Sequence, residues 1–150
     1  MKPIAPTCAV LVAATVCLAL AGTASPAALA SQPEALPTLS EHMGEMSDAF
    51  RTISRGYNKA DKLDDVLEAI GTLQQNIVAS KSMVPSRLSE MSGEELETSL
   101  TEYRVRMAKL LDRTAELEVA LLTGDEDLAH MIIRDELYPM RDEGHELFSD

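Results

Sequence analysis

Apolar residues return at steps of four and three along most of this chain. Leu39, Met43, Met46, Phe50, Ile53 and Tyr57 form the first series. It starts behind "TLSE" (38–41), where Thr38 and Glu41 have the spacing of a capping box. The pattern predicts a first helix from Thr38, closed by Gly56 and Asn58. A second helix, from about Asp61 to Ser82, carries Leu63, Val66, Leu67, Ile70, Leu73 and Ile77 on its seam. Its opening "DKLDD" (61–65) lacks the glycine and spacing of a calcium loop, and its acids suit the positive end of a helix dipole. "MVPSRLSEMSG" (83–93), with Pro85, breaks the period and predicts the longest connection.

"SGEE" (92–95) reads as a second capping box. The third helix keeps its register longest, through Leu96, Leu100, Tyr103, Met107, Leu110, Thr114, Leu117 and Leu121. "TGD" (123–125) ends it with Gly124 as C-cap and opens the next with Asp125 as N-cap. The fourth helix runs from about Glu126 to Phe148. Pro139 lies inside it, where the missing N–H and a clash with the preceding turn predict a kink or bulge. No stretch alternates with period two. The expected fold class is therefore all-α, an up-down-up-down antiparallel four-helix bundle over residues 38–150. Helices this short are marginal alone and draw their stability from a shared core.

Composition adds the compartment. Lys2, the apolar run "CAVLVAATVCLALAG" (8–22) and the small residues Ala28 and Ala30 have the form of a secretory signal, 1–30, with cleavage near Ala30. The run is short for a membrane span of about 20 residues. "SQPEALP" (31–37) is a polar lead. Cleavage would remove Cys8 and Cys17, leaving a thiol-free mature protein, expected in the periplasm, with no disulfide, thiolate metal site or thioether-linked haem. The net charge of −12 disfavours nucleic acid and anionic lipid and suits a carrier that meets basic patches on partner proteins. Tryptophan is absent and aromatics are few, so the core must be aliphatic and methionine-rich.

Catalytic signatures are missing: no phosphate-cradling glycine loop, no H-E-x-x-H and no cysteine–histidine pair, so no enzyme is expected. The remaining ligand chemistry is methionine and histidine. In an up-down bundle the first and fourth helices are antiparallel neighbours, which brings Met43 and His145 within roughly two turns of one bundle end. Each has a plain alternative. A seam methionine packs a core, and a histidine at a helix C-terminus is stabilised there by about 0.3–1 kcal/mol. Together they have the makings of a haem-iron ligand pair, whose thioether favours ferrous iron and whose two protein ligands suit electron transfer. Tyr138, Arg141, His145 and Phe148 share one semi-apolar stripe, and Gly144 leaves room beside it. Ligation needs a neutral imidazole, so acid is expected to release the haem.

"LSEHM" (39–43) and "RDEGHELF" (141–148) resemble the two ends of the cytochrome b-562 family, and the likeness extends over about residues 38–148. The resemblance implies one non-covalent haem b per chain, with Met43 and His145 as axial ligands and Arg141 at a basic position of the motif. It also implies apolar walls from Leu39, Met46, Phe50, Tyr103, Met107 and Phe148. Met107 departs from the aromatic pattern of the family, and Pro139 is a further departure. The Gly124–His145 spacing is about one residue longer than the family pattern. A bulge at Pro139 would absorb that residue; without one, His145 would turn about 100° off the pocket. The c′-type relatives attach haem through cysteines that "RDEGH" lacks. The function expected is periplasmic electron transfer to redox partner proteins by a monomer. Two alternatives stand beside it: a copper or zinc binder built on His42, Met43 and Met46, and a haem-free stress or interaction bundle.

Overall fold

Thr38 opens the first helix through its side chain. Its Oγ1 accepts from the Glu41 N–H at 3.3 Å, and the Glu41 carboxylate accepts the Thr38 N–H at 2.6 Å, closing the expected capping box. The bond from the Thr38 N–H, and then a second from the Thr38 hydroxyl at 2.8 Å, hold the Glu41 carboxyl below the usual carboxylate range. The computed structural model describes residues 36–149, so the expected 1–30 signal and most of the 31–37 lead lie outside the described residues. Behind the cap, α1 spans Leu39–Gly56, α2 Leu63–Ser80 and α3 Gly93–Thr123. A fourth helical segment consists of α4 (Glu126–Met131), a π-helical turn (Ile132–Leu137) and α5 (Tyr138–Phe148). One-turn 3-10 helices at Ala60–Lys62 and Ser86–Leu88 sit in the first two connections. The described residues are all-helical, with no strand among them.

The seam residues read from the sequence meet in one core. Ile53 of α1, Ile70 and Ile77 of α2, Leu117 of α3 and Ile132, Ile133 and Leu137 of the π turn have no exposed surface. Each such side chain stabilises the fold by about 1.5–3 kcal/mol through burial. Two hydroxyls share this core without cost: Ser80 Oγ donates to the Asn76 carbonyl at 2.7 Å and Thr114 Oγ1 to the Leu111 carbonyl at 2.9 Å. α1 packs on α2, α2 on α3, and α3 on the fourth segment, giving a four-helix-bundle-like architecture. Among the described residues, no helix is long and apolar enough to cross a membrane.

The helix boundaries follow local chemistry. Gly124, at φ 74°, takes the left-handed conformation that closes α3, and the Asp125 side chain accepts the Leu128 N–H at 3.0 Å to open α4. The second expected capping box does not form, because Ser92 makes no side-chain cap bond. Gly93, at φ 62°, swings the chain into the left-handed region at the first helical position, where a cap would need ordinary helical geometry.

The bulge anticipated at Pro139 is present, one turn earlier in the chain. The Tyr138 N–H donates to the Ile133 carbonyl, five residues back, and Pro139 follows directly at the start of α5. A proline ring collides with the carbonyl four residues before it in a regular α-helix. Widening the preceding turn to five-residue bonds relieves that collision and takes up one residue of sequence.

Candidate functional site

α1 and the fourth segment are joined at intervals by side chains. Near the end of α1, the Tyr57 hydroxyl and His130 Nδ1 lie 2.8 Å apart. Further along, Phe50 meets Tyr138 edge-on, with ring centroids 5.4 Å apart. α5 packs its backbone against α3 and the Ser86–Leu88 turn. A cavity of about 700 Å³ opens between α1, α3 and α5, within the 300–1,000 Å³ range usual for cofactor sites.

Every site residue expected from the sequence borders this cavity. α1 contributes Leu39, Met43, Met46 and Phe50, α3 contributes Tyr103 and Met107, and α5 contributes Arg141, His145 and Phe148. Met46, Phe50, Tyr103 and Met107 are buried, while Met43 is partly covered. Tyr103 stacks edge-on against Phe148 at 5.3 Å and donates its hydroxyl to the Ser80 carbonyl at 3.1 Å. Burial pushes that phenol up to about 12, so it stays neutral and fixed as a donor. Arg141 lies over the rings of Phe50, at 5.2 Å, and Tyr138, at 5.3 Å, and pairs with Asp142.

The π turn explains how α5 presents this set. Ala129, Ile132, Ile133 and Leu137 are buried in the core, and the stripe then passes to Tyr138, Arg141, His145 and Phe148 on the cavity. Gly144 borders the cavity as well, and a Cβ built there meets nothing within 4 Å.

The three histidines differ in their partners. His42 Nδ1 lies 2.7 Å from Asn76 Oδ1 on α2, and His130 is held by Tyr57. The His145 imidazole has no hydrogen-bond or ion-pair partner among the described residues and borders the cavity from its more exposed side. The copper or zinc alternative needs His42 beside Met43 and Met46, but His42 is engaged with α2 and does not border the cavity. Among the described residues no cluster of three or more histidine, aspartate or glutamate side chains is set to hold a metal ion.

Sequence reasoning missed the cationic part of the lining. Arg51, Arg55 and Arg106 also border the cavity. Arg106 bridges α3 to α5 through Glu143 at 2.8 Å, and Glu143 and then Glu102 hold its guanidinium above the usual arginine range. Their signal was available as the four-residue step from Arg51 to Arg55 and the position of Arg106 beside Met107, but exposed arginines read as solvated helix faces.

No protein-family model, curated protein or solved structure matches the chain.

Proposed function

We propose that this protein is an electron carrier that binds one non-covalent haem b in the cavity between α1, α3 and α5, with Met43 and His145 as axial ligands. The supporting observation is the pairing on one cavity of a thioether from the start of α1 with a histidine that has no partner among the described residues, near the end of α5. These positions are about a hundred residues apart in the chain. The donor set fits the group, since one soft sulfur and one imidazole nitrogen come from two different helices that line the cavity. The walls fit as well: Leu39, Met46, Phe50, Tyr103, Met107 and Phe148 supply an apolar lining, and Arg141 supplies a cation at its edge.

Bound haem supplies reversible one-electron chemistry. The chain's own part is to hold both ligands, to keep water from the buried wall of Met46, Phe50 and Met107, and to leave the His145 side open. The finer topology belongs to the same reading, as an up-down-up-down antiparallel bundle. Contacts at both ends support it, with Thr38 and Ser149 on one cavity and Tyr57 meeting His130. The charge of −12 suits docking with basic surfaces of periplasmic redox partners.

Haem titration with absorption spectra, oxidised and reduced, tests the reading in wild type, Met43→Ala and His145→Ala. Wild type is expected to give a six-coordinate low-spin spectrum, and each variant to lose it or become high-spin. Wild type that takes up no haem would point instead to a haem-free bundle. Spectra unchanged in both variants would overturn the ligand assignment.

A further inference from the structure

The charge lining the cavity is the reverse of the charge on the chain. Acids outnumber lysine and arginine 25 to 13 overall, yet four arginines and no aspartate or glutamate border the cavity among the described residues. The arginines are also unevenly placed. The end at Thr38, Ser86 and Ser149 presents hydroxyls, whereas Arg51 and Arg55 border the cavity roughly 12 and 18 Å further along α1 than Met43. They are four residues apart on the same helix face, a spacing at which like charges repel.

Arg51 is partly neutralised by exposed Asp48 at 2.9 Å, and Arg55 has no partner among the described residues. Between them is Ser54. Its hydroxyl is shielded from solvent and has no hydrogen-bond partner, and the residue is part of the cavity lining. Other helical hydroxyls behave differently: Thr52, Ser80 and Thr101 each donate to the carbonyl four residues back. A buried hydroxyl without a partner forfeits the bond to water it had in the unfolded chain. Ser54 therefore has a donor to offer, set between two cations.

We infer that Arg51, Ser54 and Arg55 form an anion subsite that takes the carboxylate groups of the cavity's ligand, orienting its acidic edge toward the middle of the bundle. The inference rests on the haem reading and adds the orientation of the macrocycle to it. The acidic side chains of iron protoporphyrin IX would face Arg51 and Arg55, and its apolar edge would face Leu39 and Val84. Guanidinium–carboxylate bonds are the strong, charge-assisted kind, and the apolar wall beside them reduces their competition with water.

The test compares protoporphyrin IX, metal-free, with its dimethyl ester, by fluorescence titration of the full mature chain. The metal-free ligand makes the measurement independent of Met43 and His145. Wild type is expected to prefer the diacid by about tenfold or more, as bonds between charged partners imply. Arg51→Gln/Arg55→Gln should erase that preference and leave ester binding unchanged, and Arg55→Lys should retain part of it. Ser54→Ala should weaken diacid binding alone. Equal binding of diacid and ester by wild type, or equal losses on both in the double variant, would overturn the subsite. If haem then still gives the low-spin spectrum, the haem reading stands without it. If wild type binds neither porphyrin nor haem, both readings fall.

Discussion

The Tyr138 N–H bonds to the Ile133 carbonyl, five residues back, and this one widened turn sets the direction of everything after it. Each residue of an α-helix turns by about 100°, so an extra residue left unabsorbed would carry Arg141, His145 and Phe148 away from the cavity together. The π turn takes up that residue next to the proline that makes a regular turn costly.

Deletion of Arg134, an exposed residue of the π turn, should convert the turn to α-helix and leave the faces on either side in place. Circular dichroism and, on the haem reading, haem spectra are expected to match wild type, while stability falls by about 3 kcal/mol because Pro139 then follows a regular turn. An alanine inserted between Met140 and Arg141 should rotate His145 by about 100° and abolish the low-spin spectrum while the helix content is kept. The opposite pattern would show that the π turn does not set the register.

On the haem reading, Gly144→Ala separates the free protein from the loaded one. A Cβ there meets nothing within 4 Å, so the free protein should gain about 0.5–1 kcal/mol from helix propensity alone. The same methyl enters the cavity wall beside His145, and haem affinity should fall. Thermal denaturation and haem titration of the same variant check both signs. Unchanged affinity would place the macrocycle away from Gly144.

Gly56 and Gly71 should respond in opposite directions. A Cβ at Gly56 would lie 2.7 Å from Val66 Cγ2, a side chain with no exposed surface, where α1 meets α2. Gly56→Ala is expected to destabilise by about 1–3 kcal/mol through overpacking. A Cβ at Gly71 meets nothing, and Gly71→Ala should stabilise by up to about 1 kcal/mol. Urea denaturation with unchanged m values would confirm both.

Tyr103→Phe tests the buried hydroxyl behind the cavity. Loss of the bond to the Ser80 carbonyl should cost about 0.5–1.5 kcal/mol at neutral pH. The pH dependence has a definite sign. The folded phenol ionises at about 12, whereas an unfolded tyrosine ionises near ~10. The stabilisation from keeping it neutral is complete below pH ~10 and is lost as pH rises toward about 12, where the unfolded chain has already released its proton. Wild type should therefore lose stability across that window more steeply than Tyr103→Phe. Equal slopes would show that Tyr103 is not the group responsible.

Much of this protein was legible in the sequence because helices carry their own signals. The Thr38–Glu41 box, the left-handed Gly124 and the Asp125 cap are local, and each formed as its neighbours dictate. The seam from Met46 to Ile53 and from Tyr103 to Leu117 was equally plain, since a repeat of four and three can be buried on only one face. The nine residues expected at the site all border the cavity, lying on the seams of the first and third helices or on the stripe that ends the fourth. Ser92 failed as a cap because the backbone sign of Gly93 is set by how the preceding loop arrives, which its residue types do not state.

Tertiary structure alone decided three things. It chose the π turn over a kink as the answer to Pro139, because both relieve the proline and only packing of Ile132, Ile133 and Leu137 selects between them. It separated the histidines, giving His42 to Asn76 and His130 to Tyr57 across 34 and 73 residues of sequence and leaving His145 on the cavity. It also brought Arg51 and Arg55 to the cavity edge. A charged residue on a helix flank looks the same in sequence whether it faces water or an opening, and the difference is made by how far the neighbouring helix stands away.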